Sequence, residues 1–579
     1  MKNFQSWNIP LLAFTAIFGV AVSSPTSAQT LTSPTGTFQK PELPRVRVDV
    51  PAVSETGRTI AVHARGNLQS AIDSAAPGDQ IVIDPGITLT GNFVLRRKAG
   101  QDSNTKFIVI RSNGTLPPSG TRITPNGMPG LARLQSNNSA PVLTTEYGAH
   151  HYRIIGLEIT KVTDPKPNYA QYRDISYGLV WIGGPLASNN RYPGQASELP
   201  HHIILDRCYV HGDYNAPHGE TYRGVMVNGN HVAVVDSYIS NIHSENLEVQ
   251  GIEGGNSNGP IKILNNYIEA AGENIIFGGF DPNLPNATPS DIEIRHNYLS
   301  KPLTWNPYSP SYAKISYSVK NLLELKNATR VLIDGNIMEN NWVKSQDGKA
   351  ILFTVRNQSG NCAWCAVQDI TFTNNIVRQT AGVFNMIAVD YNHPSKQTQR
   401  ILIQNNEFYS IGGAQWGDTG SYGTFASVNG SHWPGSQHYT IMDLVFDHNT
   451  ALPTKNILEM DIPPAATNLR FTNNLMATGA YGIFGSGSGN GTPAIKKYII
   501  NPVFQKNVFF GDTQTQYPSG ITLVGSLKAV RFVDVLAGNL RLRADSPYIK
   551  AGINGTAVGA DFTQLENATR CVMSGVQCQ

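Results

Sequence analysis

The stretch Ile263-Leu264-Asn265-Asn266-Tyr267 combines an apolar strand end, a polar pair and a further apolar residue. The same pattern returns at Ile294-Arg295-His296-Asn297-Tyr298 and at Phe372-Thr373-Asn374-Asn375-Ile376. Aligning the second polar residue of every copy gives Arg207, Ser237, Asn266, Asn297, Asn336, Asn375, Asn406, Asn449 and Asn474. These positions are 25–43 residues apart. A unit that recurs at such intervals is typical of a solenoid, whose coils bury an apolar face only by stacking on one another.

The aligned asparagines predict a ladder along one corner of the solenoid. An amide side chain repeated at the same corner can hydrogen-bond to its copy in the next coil, and asparagine also tolerates the left-handed backbone that corners require. A second short strand follows most ladder positions, as in Asn274–Gly278 and Ala350–Thr354. We therefore predict two sheets per coil and a parallel β-helix.

Composition excludes several other classes of protein. The 579 residues include 54 Gly and 35 Pro, only 15% are charged, and the net charge is +3. Glycine and proline are poor helix formers, so an all-helical protein is excluded. Without Lys/Arg blocks the chain shows no electrostatic footprint for nucleic acid. The 40% of apolar residues argue against disorder.

The beginning of the repeat region predicts a cap. Residues 67–76 read as a short amphipathic helix with Asn67 as N-cap, followed by Pro77-Gly78-Asp79 and the strand 80–84. This segment resembles the N-terminal cap of bacterial right-handed parallel β-helix proteins of the pectin-lyase-like superfamily. The resemblance covers residues 58–565 and implies an all-β, single-stranded right-handed parallel β-helix. Residues 29–57 then form a leader or linker, and residues 566–579 a tail.

The N-terminus predicts export. Lys2 precedes the apolar stretch 9–22, and Ala28 ends a small-x-small cleavage pattern. We interpret residues 1–28 as a signal peptide and expect a secreted or periplasmic protein. A membrane anchor is the alternative, but the stretch is shorter than the ~20 residues that span a bilayer. No later segment predicts a membrane span.

Five cysteines fit an oxidising compartment. Cys362 and Cys365 have a spacing that suits zinc or redox chemistry, but no second pair accompanies them, so a loop disulfide is favoured. Cys571 and Cys578 are close enough in sequence to clip the tail. Cys208 is interpreted as a buried apolar side chain at a position that is otherwise Tyr, Ile or Leu.

Cations and carboxylates concentrate between residues 320 and 356. Alternation sends Leu323 and Leu325 inward, and Lys320, Glu324 and Lys326 outward. One coil later Arg356 points outward, so that Lys326 and Arg356 become neighbours. Elimination from a uronate needs a base for the proton beside the carboxylate and a cation to neutralise that carboxylate. A solvated, exposed sheet surface is the alternative interpretation.

This arrangement is similar to the alginate lyase and chondroitinase B type of polysaccharide lyase. The resemblance implies that Lys326 is the base and that Arg356 is its partner. In that family calcium carboxylates precede the lysine on the same strand, where this chain has Lys320, Asn321 and Leu322. Lys320 is therefore expected to replace the metal in a calcium-independent reaction, and with Glu324 to contact the substrate.

Calcium remains an alternative cofactor. Glu245 and Glu273 occupy equivalent corners of successive coils and are the metal candidates, because stacked carboxylates repel without a cation. The other interpretation is that each glutamate, with the asparagine that follows it, hydrogen-bonds to the backbone amides of its turn. His243 and Trp342 are expected to bind substrate, Trp342 by stacking on a sugar ring, with loop packing as the alternative.

The sequence therefore predicts a monomeric, exported, polysaccharide-active protein, specifically a lyase that cleaves an acidic, uronate-containing polysaccharide by β-elimination. Two alternatives stay open: a non-catalytic carbohydrate-binding or cell-surface β-helix, and a glycoside hydrolase on the same fold.

Overall fold

Short strands stack coil upon coil, because each strand pairs in parallel with the equivalent strand of the next coil. The computed structural model describes residues 38–53, 57–99, 106–127, 130–162, 175–185 and 190–576. The predicted signal peptide 1–28 lies outside the described residues, as do residues 29–37 and 54–56 of the leader. Within the described residues the coils build three long sheets, here named A, B and C.

Sheet A leads into the ladder corner. Its strands are Thr59–Val62, Gln80–Ile83, Ile108–Ser112, His150–Ile155, His201–Asp206, Asn230–Val235, Ile261–Leu264, Ser290–Arg295, Ala328–Asp334, Val367–Thr373, Gln399–Gln404, Ile441–Asp447, Ala466–Thr467, Arg470–Thr472, Ile499–Ile500 and Val503–Gln505.

Sheet B follows the ladder corner. Its strands are Thr88–Thr90, Arg133–Ser136, Glu158–Lys161, Tyr209–His211, Tyr238–Ile242, Tyr267–Ala270, Tyr298–Ser300, Ile337–Asn341, Ile376–Thr380, Glu407–Ile411, Thr450–Pro453, Leu475–Ala477, Asn507–Phe510 and Ile521–Val524.

Sheet C completes each coil. Its strands are Phe93–Leu95, Leu143–Thr145, Val180–Ile182, Arg223–Val227, Gln250–Gly254, Glu273–Phe277, Leu323–Leu325, Lys349–Phe353, Gly382–Ile387, Thr424–Asn429, Asn456–Asp461, Gly482–Gly485 and Gly489–Asn490.

Smaller elements decorate the coils. Short pairs form between Ile175–Ser176 and Glu220–Thr221 and between Phe532–Asp534 and Asn539–Leu542. The α-helices are Leu68–Ser74, Thr492–Tyr498, Leu527–Val530 and Phe562–Thr569, and the 3₁₀ turns are Pro125–Gly127, Ala196–Glu198, Leu303–Trp305, Ala414–Trp416 and Ile553–Gly555. The last α-helix crosses the expected domain boundary at residue 565. No helix in the described residues is long and apolar enough to cross a membrane.

The predicted asparagine ladder is confirmed. Asn336 Oδ1 accepts from the backbone N and from Nδ2 of Asn297 at 2.9 and 3.1 Å, and Asn336 Nδ2 donates to Asn375 Oδ1 at 2.9 Å. The pattern repeats in every coil from Asn266 to Asn507, and all of these side chains are fully buried. The residue before each ladder position adopts a left-handed backbone, as at Asn374 with φ 54°.

Two details of the predicted coil were wrong. Each coil has three sheets rather than two, because a short strand of sheet B follows the ladder residue directly. In the coil of residues 201–211 the ladder position is Cys208 rather than Arg207: the Cys208 backbone N donates to Ser237 Oγ at 3.0 Å. Cys208 is nevertheless a fully buried free thiol, as expected.

Apolar side chains fill the space between the three sheets. Phe384 contacts Phe372, Phe408 and Phe425 at ring-centroid distances of 5.5–5.6 Å, so aromatic packing runs through successive coils. The predicted N-terminal helix buries Leu68, Ala71 and Ile72 on the first coils. Its N-cap is confirmed, because Asn67 Oδ1 accepts from the Ser70 backbone N at 3.0 Å.

Part of the leader packs on the β-helix. Val48 of the leader packs against Val109, Ile155 and Ile204 on the outer face of sheet A.

Cys362 and Cys365 form the expected loop disulfide. Cys571 is also disulfide-bonded, whereas Cys578 lies outside the described residues.

Replacing one ladder residue should weaken the contact between two coils. Asn336→Ala removes four side-chain hydrogen bonds and strands the buried groups of Asn297, at about 1–3 kcal/mol for each unsatisfied group. We expect the midpoint of chemical unfolding, followed by circular dichroism, to fall by the equivalent of about 2–4 kcal/mol. Asn215→Ala, at an exposed asparagine, is the control. Equal midpoints for the two variants would show that the ladder contributes little stability.

Candidate functional site

Lys326 and Arg356 lie in neighbouring coils on the outer side of sheet C. Lys326 directly follows the strand Leu323–Leu325, and Arg356 follows Lys349–Phe353. The Arg356 backbone N donates to the Lys326 carbonyl oxygen at 3.0 Å. The structure therefore brings together the two residues that sequence analysis paired, whereas their catalytic role stays a prediction.

Lys326 stands over a buried carboxyl group. Its Nζ lies 3.1 Å from Glu324 Oε1, and the Glu324 side chain is 0% exposed while that of Lys326 is 16% exposed. Register explains the burial, because the flanking coils place Ile276 and Leu352 beside Glu324. The cation, and not the carboxylate, is the group that solvent or a ligand meets.

Burial changes the acidity of Glu324. It raises the pKa of this carboxyl to about 7, Glu273 acts in the same direction, and Lys326 and Lys320 oppose the rise. Desolvation disfavours the charged form of any acid. The Glu324–Lys326 pair therefore has a carboxyl group that accepts a proton near neutral pH.

Arg356 repeats this arrangement one coil later. Its guanidinium lies 4.1 Å from the ring centroid of Tyr391, donates to the Tyr391 hydroxyl, and is 3.6 Å from Asp390 Oδ1. The side chain of Asp390 is 1% exposed and that of Arg356 is 19% exposed. Backbone N–H groups of Asn357 and Asn392 fix the two oxygens of Asp390 at 2.8 and 2.7 Å.

Sequence analysis missed Asp390 and Tyr391. Both follow the strand Gly382–Ile387, as Arg356 follows the equivalent strand of the preceding coil. The sheet C strands of successive coils can be aligned in sequence, as the ladder residues were. Such an alignment places Asp390 and Tyr391 just after the strand, as it does Arg356.

Lys320 is engaged by two carboxylates. Its Nζ forms an ion pair with Glu248 and lies 3.5 Å from Glu273 Oε1, and Glu273 Oε2 also accepts from Gln250 Nε2 at 3.0 Å. Burial lowers the pKa of Lys320, but Glu273 and Glu248 outweigh it, so that the pKa is raised overall. Arg223 and Glu253 form another ion pair further along the same face. Lys320 is thus held as a cation within the protein's own charge network.

The expected pairing of Glu245 with Glu273 is wrong. Glu245 lies in a loop, where its Oε1 is 2.7 Å from His218 Nδ1, whereas Glu273 is fully buried beside Lys320. Different loop lengths place the two glutamates at different points of their coils. Among the described residues no group of three or more carboxylates is placed to hold one metal ion.

Three expected substrate contacts are also corrected. Trp342 is 0% exposed, so its ring faces core residues rather than a sugar. His243 is buried against Tyr317, with ring centroids 4.3 Å apart, and burial lowers its pKa to about 4. Glu324 points outward, as expected, but lies beneath Lys326 and does not meet solvent.

Large surface depressions lie elsewhere on the molecule. One of about 670 Å³ is lined by Asn374, Asn405, His448 and Asp561, and one of about 710 Å³ by Lys98, His150 and His201. Neither includes Lys326 or Arg356, so the candidate site is argued from its side-chain chemistry.

The sequence matches no family model and no curated protein. Solved structures do match. A mutant of the PL6 family alginate lyase AlyGC is 14% identical, with a TM-score of 0.47 over 87% of this chain and 58% of that chain. Pectate lyase Pel9A is 12% identical, with a TM-score of 0.33 over 88% and 96%. The catalytic unit of a GH87 α-1,3-glucanase from Streptomyces thermodiastaticus is 14% identical, with a TM-score of 0.42 over 79% and 70%.

These similarities concern the fold. The chain spans less than two thirds of the AlyGC chain that it matches. Parallel β-helices host several activities, so the activity must be argued from the site itself.

The raised pKa of Glu324 predicts a pH-dependent stability. The folded state favours the protonated carboxyl, so this group costs stability as the pH rises from about 4.5 to about 7. Glu324→Gln removes that cost. We expect the variant to gain roughly 2–3 kcal/mol relative to the wild type between pH 5 and pH 8, measured by chemical unfolding at both values.

Glu459→Gln is the control, because Glu459 lies on the same face of sheet C but is partly exposed. A Glu324→Gln variant with the same pH dependence as the wild type would show that Glu324 does not titrate in this range.

Proposed function

We propose that this chain is a polysaccharide lyase that cleaves a uronate-containing polymer by β-elimination. One observation carries the proposal: Lys326 and Arg356 place two basic groups on the outer side of neighbouring coils, while their carboxylate partners Glu324 and Asp390 are buried beneath them. Such a pair suits an anionic sugar, since the buried carboxylates orient the cations without meeting the substrate.

The reaction needs an amine that accepts a proton. Lys326 takes the proton from the carbon beside the uronate carboxylate, a carbon–carbon double bond forms, and the bond to the glycosidic oxygen breaks. The leaving oxygen receives a proton from the ammonium group formed on Lys326. The bound carboxylate gains charge in the transition state, so a fixed cation there lowers the barrier. Arg356 supplies this cation, and its planar guanidinium can bind a carboxylate in two places.

Glu324 acts as a positioning residue for Lys326. An isolated lysine is protonated at neutral pH, with a pKa near 10.4, and cannot serve as a base. Because the pKa of Glu324 is raised to about 7, transfer of the lysine proton to this carboxyl costs less than transfer to an ordinary carboxylate. Glu324 is therefore the group placed to hold the lysine proton when Lys326 acts as the base.

Calcium does not fit beside this pair. The ammonium group of Lys320 already lies against Glu248 and Glu273, and Lys326 itself is paired with Glu324. A divalent cation would have to displace Lys320 from these oxygen ligands. No step of the proposed reaction passes through a metal.

Removing the base should abolish elimination without unfolding the protein. We expect Lys326→Ala to lower the rate by about 10²–10⁴-fold, the usual contribution of a general base. The measurement is the absorbance of unsaturated uronate during incubation with alginate, pectate and glycosaminoglycans. Lys344→Ala, at an exposed lysine, is the matched control and should keep wild-type activity.

Further arms of the same assay separate the alternatives. A chelator should leave the rate unchanged, and Arg356→Ala should lower it while circular dichroism remains that of the wild type. Polymer binding without any increase in absorbance would overturn the lyase and favour a carbohydrate-binding protein. New reducing ends without absorbance would favour a hydrolase.

We also propose that the protein is exported. The support is the pattern of Lys2, the apolar stretch 9–22 and the small residues ending at Ala28. Full-length protein produced in a bacterium should lose residues 1–28, so that mass spectrometry finds a chain beginning at Gln29. A cell-associated chain that retains residue 1 would contradict export by cleavage.

A further inference from the structure

Two His-His pairs begin neighbouring strands of sheet A. His150 and His151 open the strand His150–Ile155, and His201 and His202 open His201–Asp206. The register pairs His201 with His150, so the two histidine pairs lie side by side in adjacent coils. Four imidazoles therefore meet at one edge of the β-helix.

Their nitrogen atoms converge. The ligand nitrogens of His151, His201 and His202 all lie within 4.8 Å of one another. Within the pairs, the two Nδ1 atoms of His201 and His202 are 2.8 Å apart, and those of His150 and His151 are 3.0 Å apart. His151 stacks on His202 with ring centroids 4.4 Å apart.

In later coils of sheet A, the positions equivalent to His151 and His202 carry opposite charges. The equivalent positions of successive coils are His151, His202, His231, Pro260, Asp291, Arg330, Asp369 and Arg400. There Arg330 pairs with Asp291 at 2.8 Å and Arg400 pairs with Asp369 at 2.6 Å. At the histidine positions the imidazoles of His151, His202 and His231 stack on one another, so they would repel if all were protonated.

The histidines combine burial with access. His151 is 3% exposed, while His150, His201 and His202 are half-buried. His150 and His201 line the depression of about 710 Å³ together with Lys98 and Ser197. Of the three converging histidines, His201 therefore faces this depression, while His151 lies on the buried side.

We propose that His151, His201 and His202 bind a divalent transition-metal ion that prefers imidazole ligands, with Zn²⁺ as its representative. Tetrahedral zinc with bonds of about 2.0–2.1 Å places its ligand nitrogens about 3.3 Å apart. To reach this spacing, side-chain rotations would have to open the 2.8 Å contact between His201 and His202 and close the wider ones, all of which are below 4.8 Å. His150 or water completes the coordination.

The site would connect two coils. His151 belongs to one coil, and His201 and His202 belong to the next, so a bound ion cross-links them where the later coils use Asp–Arg pairs. Any ligand that binds only the folded state stabilises it. The site is separate from the Lys326 region and does not depend on the proposed lyase activity.

The test is calorimetric titration of the untagged protein with Zn²⁺ alone. We expect saturable binding of one ion per chain and a higher unfolding temperature in the presence of Zn²⁺. His202→Ala removes a ligand and should weaken binding at least about tenfold, since even changes outside the ligand shell cost 10–100-fold. His201→Ala should do the same, which guards against a variant that fails to fold.

His231→Ala is the matched control. His231 stacks on His202 at 4.5 Å in the next coil but is not part of the three-nitrogen cluster. This variant should bind Zn²⁺ like the wild type. Absence of stoichiometric binding by the wild type, or unchanged affinity in both His202→Ala and His201→Ala, would overturn the proposal.

Discussion

Hydrogen bonds between buried asparagines of successive coils hold the structure in register. Each ladder side chain satisfies a backbone N–H and an amide of one neighbour, and donates to the next. A slip of one coil against another would leave these groups unpaired in the core, where each costs about 1–3 kcal/mol. The position of Lys326 beside Arg356, and of His202 beside His151, follows from this register.

Only 15% of the residues are charged, and two ion pairs on sheet C share one arrangement. On the outer side of sheet C the carboxylates Glu324 and Asp390 are buried, and the cations Lys326 and Arg356 lie over them. Exposed ion pairs contribute little to stability. A buried carboxylate under a partly exposed cation is different, because it fixes the position of the cation and, in the Glu324–Lys326 pair, provides a place for its proton.

The repeat made the solenoid and its ladder predictable, because both depend on a pattern that recurs along the chain. Neighbouring coils follow from the same pattern, so Lys326 and Arg356 could be paired from sequence. Burial could not be predicted in this way. Tyr317, far along the chain from His243, covers that imidazole, and Trp342 turns into the core from a loop. Sheet B was missed because its strands follow the ladder residues directly, without a turn between them.

The central claim is that this β-helix breaks a uronate polymer by elimination, through Lys326 and Arg356. Mass spectrometry of oligosaccharides released from alginate, pectate or a glycosaminoglycan tests it most directly. The account predicts fragments with an unsaturated end, each lighter by one water than the corresponding hydrolysis product, and their loss in Lys326→Ala. Hydrated fragments, or intact polymer in every case, would contradict it.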